Sequence, residues 1–67
     1  MNIYYIIQDI KTKEFFWEYR GSNGFTNDIE NRTTYTTENE AIIALYNYDN
    51  YLDEEVRQIE IKKIFEI

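Results

Sequence analysis

Six carboxylates and two tyrosines, Glu38, Glu40, Asp49, Asp53, Glu54, Glu55, Tyr46 and Tyr51, form the densest set of groups in this sequence that could do chemistry. Between residues 28 and 55 there are eight acids and one base, Arg32, whereas the remainder holds five acids and six bases. Nearly all of the net charge of −6 therefore falls on one segment. Carboxylates repel phosphates and anionic lipids and attract cationic surfaces. Direct contact with nucleic acid or membrane is disfavoured, and a basic protein surface is the favoured partner. On a helix, Glu38 to Asp49 would span about 16 Å. A band of carboxylates of that length, backed by Tyr46 and Tyr51, could fill a groove built for DNA phosphates. The competing assignment is a solvated face that keeps the domain soluble. Asp49, Asn50, Asp53, Glu54 and Glu55 could also offer oxygens to a hard cation. They lack the alternating ligands and the glycine of a calcium loop, so a solvated acidic turn is the simpler reading.

Catalysis has little to work with. The chain contains no His and no Cys, which removes the usual general base and thiol nucleophile. It also excludes structural zinc, haem attachment and thiol redox chemistry. Ser22 lies in a glycine-flanked stretch with no base beside it. Glu14 and Glu18 would share a strand face about 13 Å apart. A chain of 67 residues leaves little room for a cleft that could distort a sugar between them. Gly21-Ser22-Asn23-Gly24 has no lysine placed for a phosphate loop. The expectation is a non-enzymatic protein with no cofactor and no metal. The aromatic run Phe15-Phe16-Trp17-Glu18-Tyr19 could stack on single-stranded bases, but only Lys11, Lys13 and Arg20 are near to supply a basic groove. Core packing, or a protein-binding face, suits it better.

The acidic band depends on one helix. Thr37 and Glu40 have the spacing of a capping box, with the Thr37 oxygen accepting from the Glu40 amide and the Glu40 carboxylate reaching back to the Thr37 amide. Glu38 and Glu40 place negative charge in the first turn, at the positive end of the helix dipole. Ala41, Ile42, Leu45 and Tyr48 recur at helical spacing and predict the buried stripe. The helix end is expected near Asn47 or Asn50, either of which could take the left-handed position, although the apolar pattern can also be continued to Leu52.

Around this helix the alternation of apolar residues predicts strands. Ile3 to Ile10 is apolar on both faces, and Glu14 to Arg20 alternates, with Lys11-Thr12-Lys13 as the turn between them. Gly21 to Gly24 reads as a loop. Phe25 to Asn31 reads as a helical turn capped by Thr26 with Ile29 facing inward. Thr33 to Thr36 reads as a short edge strand, and Val56 to Ile67 as the last strand. In that strand Lys63 interrupts the face of Ile59, Ile61, Phe65 and Ile67, which predicts either a β-bulge or a snorkelling lysine. The two isoleucine-rich strands, first and last, are expected side by side in the middle of the sheet. Should the third and fourth strands share the sheet, the helix would be a right-handed crossover. The whole is a single domain, residues 1–67, of the α+β class. It has an antiparallel or mixed sheet of about four strands in the order β-β-β-α-β, with one helix packed on one face. The opening MNIYYIIQDI has no basic region before its short apolar run, so no signal peptide is expected. No run approaches a membrane span, and a cytoplasmic protein is expected.

Two pieces of the middle, Phe25-Thr26-Asn27-Asp28-Ile29-Glu30 and Thr37-Glu38-Asn39-Glu40-Ala41, carry a resemblance. They are similar to a loose group of small proteins from phages and mobile elements of Gram-positive bacteria. That group opens with a hairpin, then carries an FT-x-D-hydrophobic-E segment and a T-x-x-E-A helix. The likeness covers about half of the chain and departs at the first turn, where the usual glycine is missing. It implies an accessory protein of a phage or mobile element but brings no activity with it. Together with the charge pattern it leads to one expectation, a protein that binds a host protein with a basic groove. A DNA-mimicking inhibitor of a host defence nuclease, of the anti-CRISPR or anti-restriction type, would be the specific form. The alternative is a structural or assembly module that self-associates through a strand edge, as a homodimer for example.

Overall fold

The structure, a computed structural model, describes residues 1–47 and 57–67. Four strands form one antiparallel sheet: β1 (Asn2–Asp9), β2 (Phe15–Tyr19), β3 (Ser22–Thr26) and β4 (Ile59–Glu66). Their spatial order is β3-β2-β1-β4. Among the described residues one α-helix, α1 (Glu38–Asn47), packs on one face against β1 and β4. This is the small α+β fold expected. Every strand pairing among the described residues is antiparallel.

β1 and β4 pair over eight residues, from Asn2 opposite Glu66 to Asp9 opposite Ile59. The register has no interruption, so Lys63 causes no bulge. It stands opposite Tyr5, is exposed, and lies 5.2 Å from the centre of the Phe65 ring. The two isoleucine-rich strands are neighbours as expected, but β4 lies at the edge of the sheet and only β1 is central.

The expected loop at Gly21 is a hairpin turn. Arg20 (φ 49°) and Gly21 (φ 85°) are both left-handed, the backbone of a two-residue hairpin whose twist matches its strands. Tyr19 and Ser22 close the ladder on either side. Ser22–Thr26 is therefore the third strand, and the Cβ of any larger residue at Gly24 would meet the Trp17 indole at 3.1 Å. The turn that follows is a short 3₁₀ segment, Ile29–Asn31, capped by Asp28 rather than Thr26. Its Ile29 is exposed, not inward.

Thr33 to Thr36 does not make an edge strand. β1 and β2 meet only beside their hairpin, where Gln8 faces Phe15, and then diverge. The segment from Thr33 to Tyr35 fills the gap between them. Tyr35 exchanges both backbone hydrogen bonds with Tyr5 at 2.8 Å, and the Thr33 amide donates to the Phe16 carbonyl at 3.2 Å. The Thr33 hydroxyl does the rest. It accepts from the Glu18 amide at 2.8 Å and donates to the Glu18 carbonyl at 3.2 Å. One threonine side chain thus replaces the strand residue that Glu18 would otherwise pair with.

The core lies between this wedged sheet and α1. Ile7, Phe16, Tyr35, Ala41 and Ala44 are buried, with Tyr5, Phe25, Leu45, Ile59 and Ile61 packed around them. The Phe16 and Phe25 rings are tilted at 60° with centroids 5.6 Å apart, a favourable aromatic geometry. The small residues Ala41 and Ala44 let the helix come close to the sheet. That closeness rotates the predicted stripe: Ile42 is 47% exposed and is not part of the core. Tyr48, the last member of that stripe, lies outside the described residues, as does Asn50.

Candidate functional site

Turning Ala41 and Ala44 inward places Ile42, Ile43 and Tyr46 on the outer face of α1, where Ile43 is 51% and Tyr46 82% exposed. Glu38 precedes Ile42 by four residues, and Ile42 precedes Tyr46 by four, so the three stack on one line of the helix. The helix start is fixed by side chains. Thr37 Oγ1 accepts from the Glu40 amide at 3.2 Å, as the sequence predicts. The Glu40 carboxylate, however, accepts from the amide of Thr36 at 3.1 Å, one residue earlier than a regular capping box requires. Glu40 is thus tied to the cap, and Glu38 is the freer acid of the first turn. Both are exposed.

The structure therefore brings together three of the eight predicted site residues: Glu38, Glu40 and Tyr46, all on α1. Asp49, Tyr51, Asp53, Glu54 and Glu55 lie outside the described residues. What the sequence reading did not contain is the apolar part of the face, Ile42 and Ile43. The i, i+4 relation of Ile42 to Glu38 and Tyr46, and the i, i+3 relation of Ile43 to Tyr46, held the signal, but two alanines at Ala41 and Ala44 attract less notice as a core stripe than isoleucines do.

Two polar networks were also missed. The first lies at the end of β1. Asp9 is 1% exposed and accepts from the amides of Lys11 at 2.8 Å and Thr12 at 3.0 Å, which shapes the β1–β2 turn. Arg57 pairs with Asp9 and with Glu14, each at 3.1 Å, and its guanidinium lies 3.9 Å from the centre of the Phe25 ring. Glu14 precedes β2 and is committed to this ion pair, so it does not converge with Glu18 on any cleft. The second network crosses the face of the sheet away from the helix. Arg32 lies 5.5 Å from the ring centres of both Tyr4 and Phe15 and donates to Tyr4 Oη at 2.7 Å. Tyr4 in turn donates to Glu66 at 3.0 Å. Tyr4, Arg32 and Glu66 border an open groove of about 750 Å³ with Asn2, Thr34 and Thr36. Among the described residues no cluster of three acids is placed to hold a metal ion.

The Asp9 network makes a pH prediction. The Thr12 amide, followed by the Lys11 amide and Arg57, holds the carboxyl below its ordinary value of 3.8 against the opposing effect of burial. A lowered folded-state value means that Asp9 contributes its full stabilisation above the ordinary value and loses it as the pH falls through the folded one. Thermal melts of the wild type and of Asp9→Asn should differ most near neutral pH. The two should converge once the pH is well below 3.8. Parallel melting curves over the whole range would contradict this role.

The fold and the outer helix face define a small α+β domain that presents an apolar patch beside carboxylates. No family model, no curated protein and no solved structure matches the chain. Among the described residues no helix is long and apolar enough to cross a membrane.

Proposed function

We propose that this chain is a non-enzymatic accessory protein of a phage or mobile element that binds a host protein through the outer face of α1. The observation that carries the reading is the exposure of Ile42, Ile43 and Tyr46 on a helix that begins with Glu38 and Glu40. Exposed aliphatic and aromatic groups beside carboxylates suit a partner with an apolar groove and a basic rim. The apolar centre supplies affinity, and the charges supply steering and orientation. A DNA-binding groove of a defence nuclease has a rim of that sign, so the specific form of the proposal is an inhibitor that occupies such a groove in place of DNA. The acids at Asp49, Asp53, Glu54 and Glu55 continue the same charge along the sequence.

The test is affinity capture from the natural host with three baits: the wild type, a four-acid reversal (Glu38→Lys, Asp49→Lys, Glu54→Lys, Glu55→Lys) and Tyr46→Ala. The wild type should retain one host protein that either variant loses, and that protein's DNA binding should be inhibited by the wild type alone. Capture of the same protein by all three baits would overturn the proposal.

A further inference from the structure

The outer edge of β4, like that of β3, has no strand neighbour among the described residues. Its backbone orientation can be read from one bond. The Ile10 amide donates to the Gln58 carbonyl at 2.7 Å, so Gln58 turns its backbone groups toward β1. In an antiparallel ladder such pairs alternate. Glu60, Lys62, Ile64 and Glu66 therefore also face β1. Ile59, Ile61, Lys63 and Phe65 turn their amides and carbonyls toward the open edge. Phe65 is 59% exposed there. An open edge of this length invites pairing unless charge prevents it.

We propose that β4 pairs antiparallel with β4 of a second copy, about a two-fold axis through Ile64. This strand is complementary to itself. An axis at Ile64 sets Lys62 opposite Glu66 of the second copy, Lys63 opposite Phe65, and Ile61 opposite Ile67. Each of these pairs occurs twice, and Ile64 meets its own copy on the axis. Charge meets opposite charge, a cation meets an aromatic ring, and apolar groups meet one another, which are the favourable cross-strand pairs. Other registers fail. An axis at Lys62 or at Lys63 puts a lysine directly on its own copy. An axis at Ile61 matches Glu60 with Lys62, but it also sets Ile59 against Lys63 and Gln58 against Ile64. The two lysines thus select one register rather than forbid pairing altogether.

The monomer leaves these groups available. Lys62 and Lys63 form no ion pair among the described residues, and Glu66 uses only one of its oxygens, for Tyr4. Lys63 already lies against the Phe65 ring of its own strand, the same pairing of types that the two-fold would repeat across the interface. A two-fold perpendicular to the sheet makes one continuous eight-stranded sheet with both helices on the same side. The outer faces of two α1 helices would then be presented together.

The chain has no cysteine, so single cysteines test the register directly. A residue on the axis in a non-hydrogen-bonded pair has its Cα about 4.5 Å from its copy, within disulfide reach. Under mild oxidation Ile64→Cys should cross-link to a covalent dimer at low micromolar protein, whereas Ile61→Cys and Lys62→Cys should not. In sedimentation equilibrium, Lys62→Glu should dissociate the dimer, and Lys62→Glu combined with Glu66→Lys should restore it. Circular dichroism is used to check that each variant is folded. A wild type that sediments as a monomer at every concentration would overturn the proposal. So would cross-linking through Ile61→Cys or Lys62→Cys in preference to Ile64→Cys.

Discussion

Phe16→Ala is expected to lower the free energy of unfolding by about 3–5 kcal/mol. Phe16 is fully buried in the core cluster with Ile7, Tyr35, Ala41 and Ala44, and its tilted contact with Phe25 has no substitute in so small a core. A domain of 67 residues has a total stability of roughly 3–10 kcal/mol. The variant should therefore be largely unfolded at 37 °C or unfold at far lower urea than the wild type. The comparison with Trp17→Ala is informative. Trp17 is larger but only half-buried, on the opposite face over Gly24, and its removal should cost distinctly less. Urea titrations in which the two losses are equal would contradict this placement of the core.

Thr33→Val is the second large effect, and it isolates the wedge. Valine keeps the shape of threonine but removes the hydroxyl that satisfies both the amide and the carbonyl of Glu18. Glu18 turns these groups away from β3, because Tyr19 and Ser22 form the hydrogen-bonded pair that closes the hairpin. No strand residue can take over. Leaving a partly buried amide unpaired costs about 1–3 kcal/mol. Thr33→Ser keeps the hydroxyl and should lose much less. Hydrogen exchange at the Glu18 amide should accelerate in the valine variant and stay slow in the serine variant. Equal exchange in both would mean that the hydroxyl does not hold the gap closed.

The wedge also marks where the sequence stops being legible. Three strands, the first, second and last, and a capped helix follow from alternation and from the Thr37–Glu40 spacing, because those signals depend on residues within one element. The third strand was misplaced because its turn uses Arg20-Gly21, where Asn-Gly would have announced a hairpin, and because Asn23 and Gly24 are poor strand formers. Ser22–Thr26 is a strand through its pairing with β2, not through its own preference. The insertion of Thr33–Tyr35 between β1 and β2 is a tertiary event, visible only once both strands exist. On the helix, the capping residues and the acidic first turn were readable. Which side faces the sheet was not, because close approach over Ala41 and Ala44 outweighs the larger apolar area of Ile42. Asp9 was hidden for a related reason. It reads as the polar end of an apolar strand, and its partner Arg57 is distant in sequence.

The proposed function makes the outer face of α1, with the acids that follow it in sequence, an electrostatic protein-binding surface. The most direct measurement is the affinity for the captured host protein across a series of salt concentrations. Exposed charges are screened within about 10 Å at 0.1 M salt and within about 3 Å at 1 M. Affinity of the wild type should fall steeply along the series, and Glu38→Gln should bind more weakly with a shallower dependence. An affinity that does not change with salt, in both the wild type and Glu38→Gln, would contradict the account.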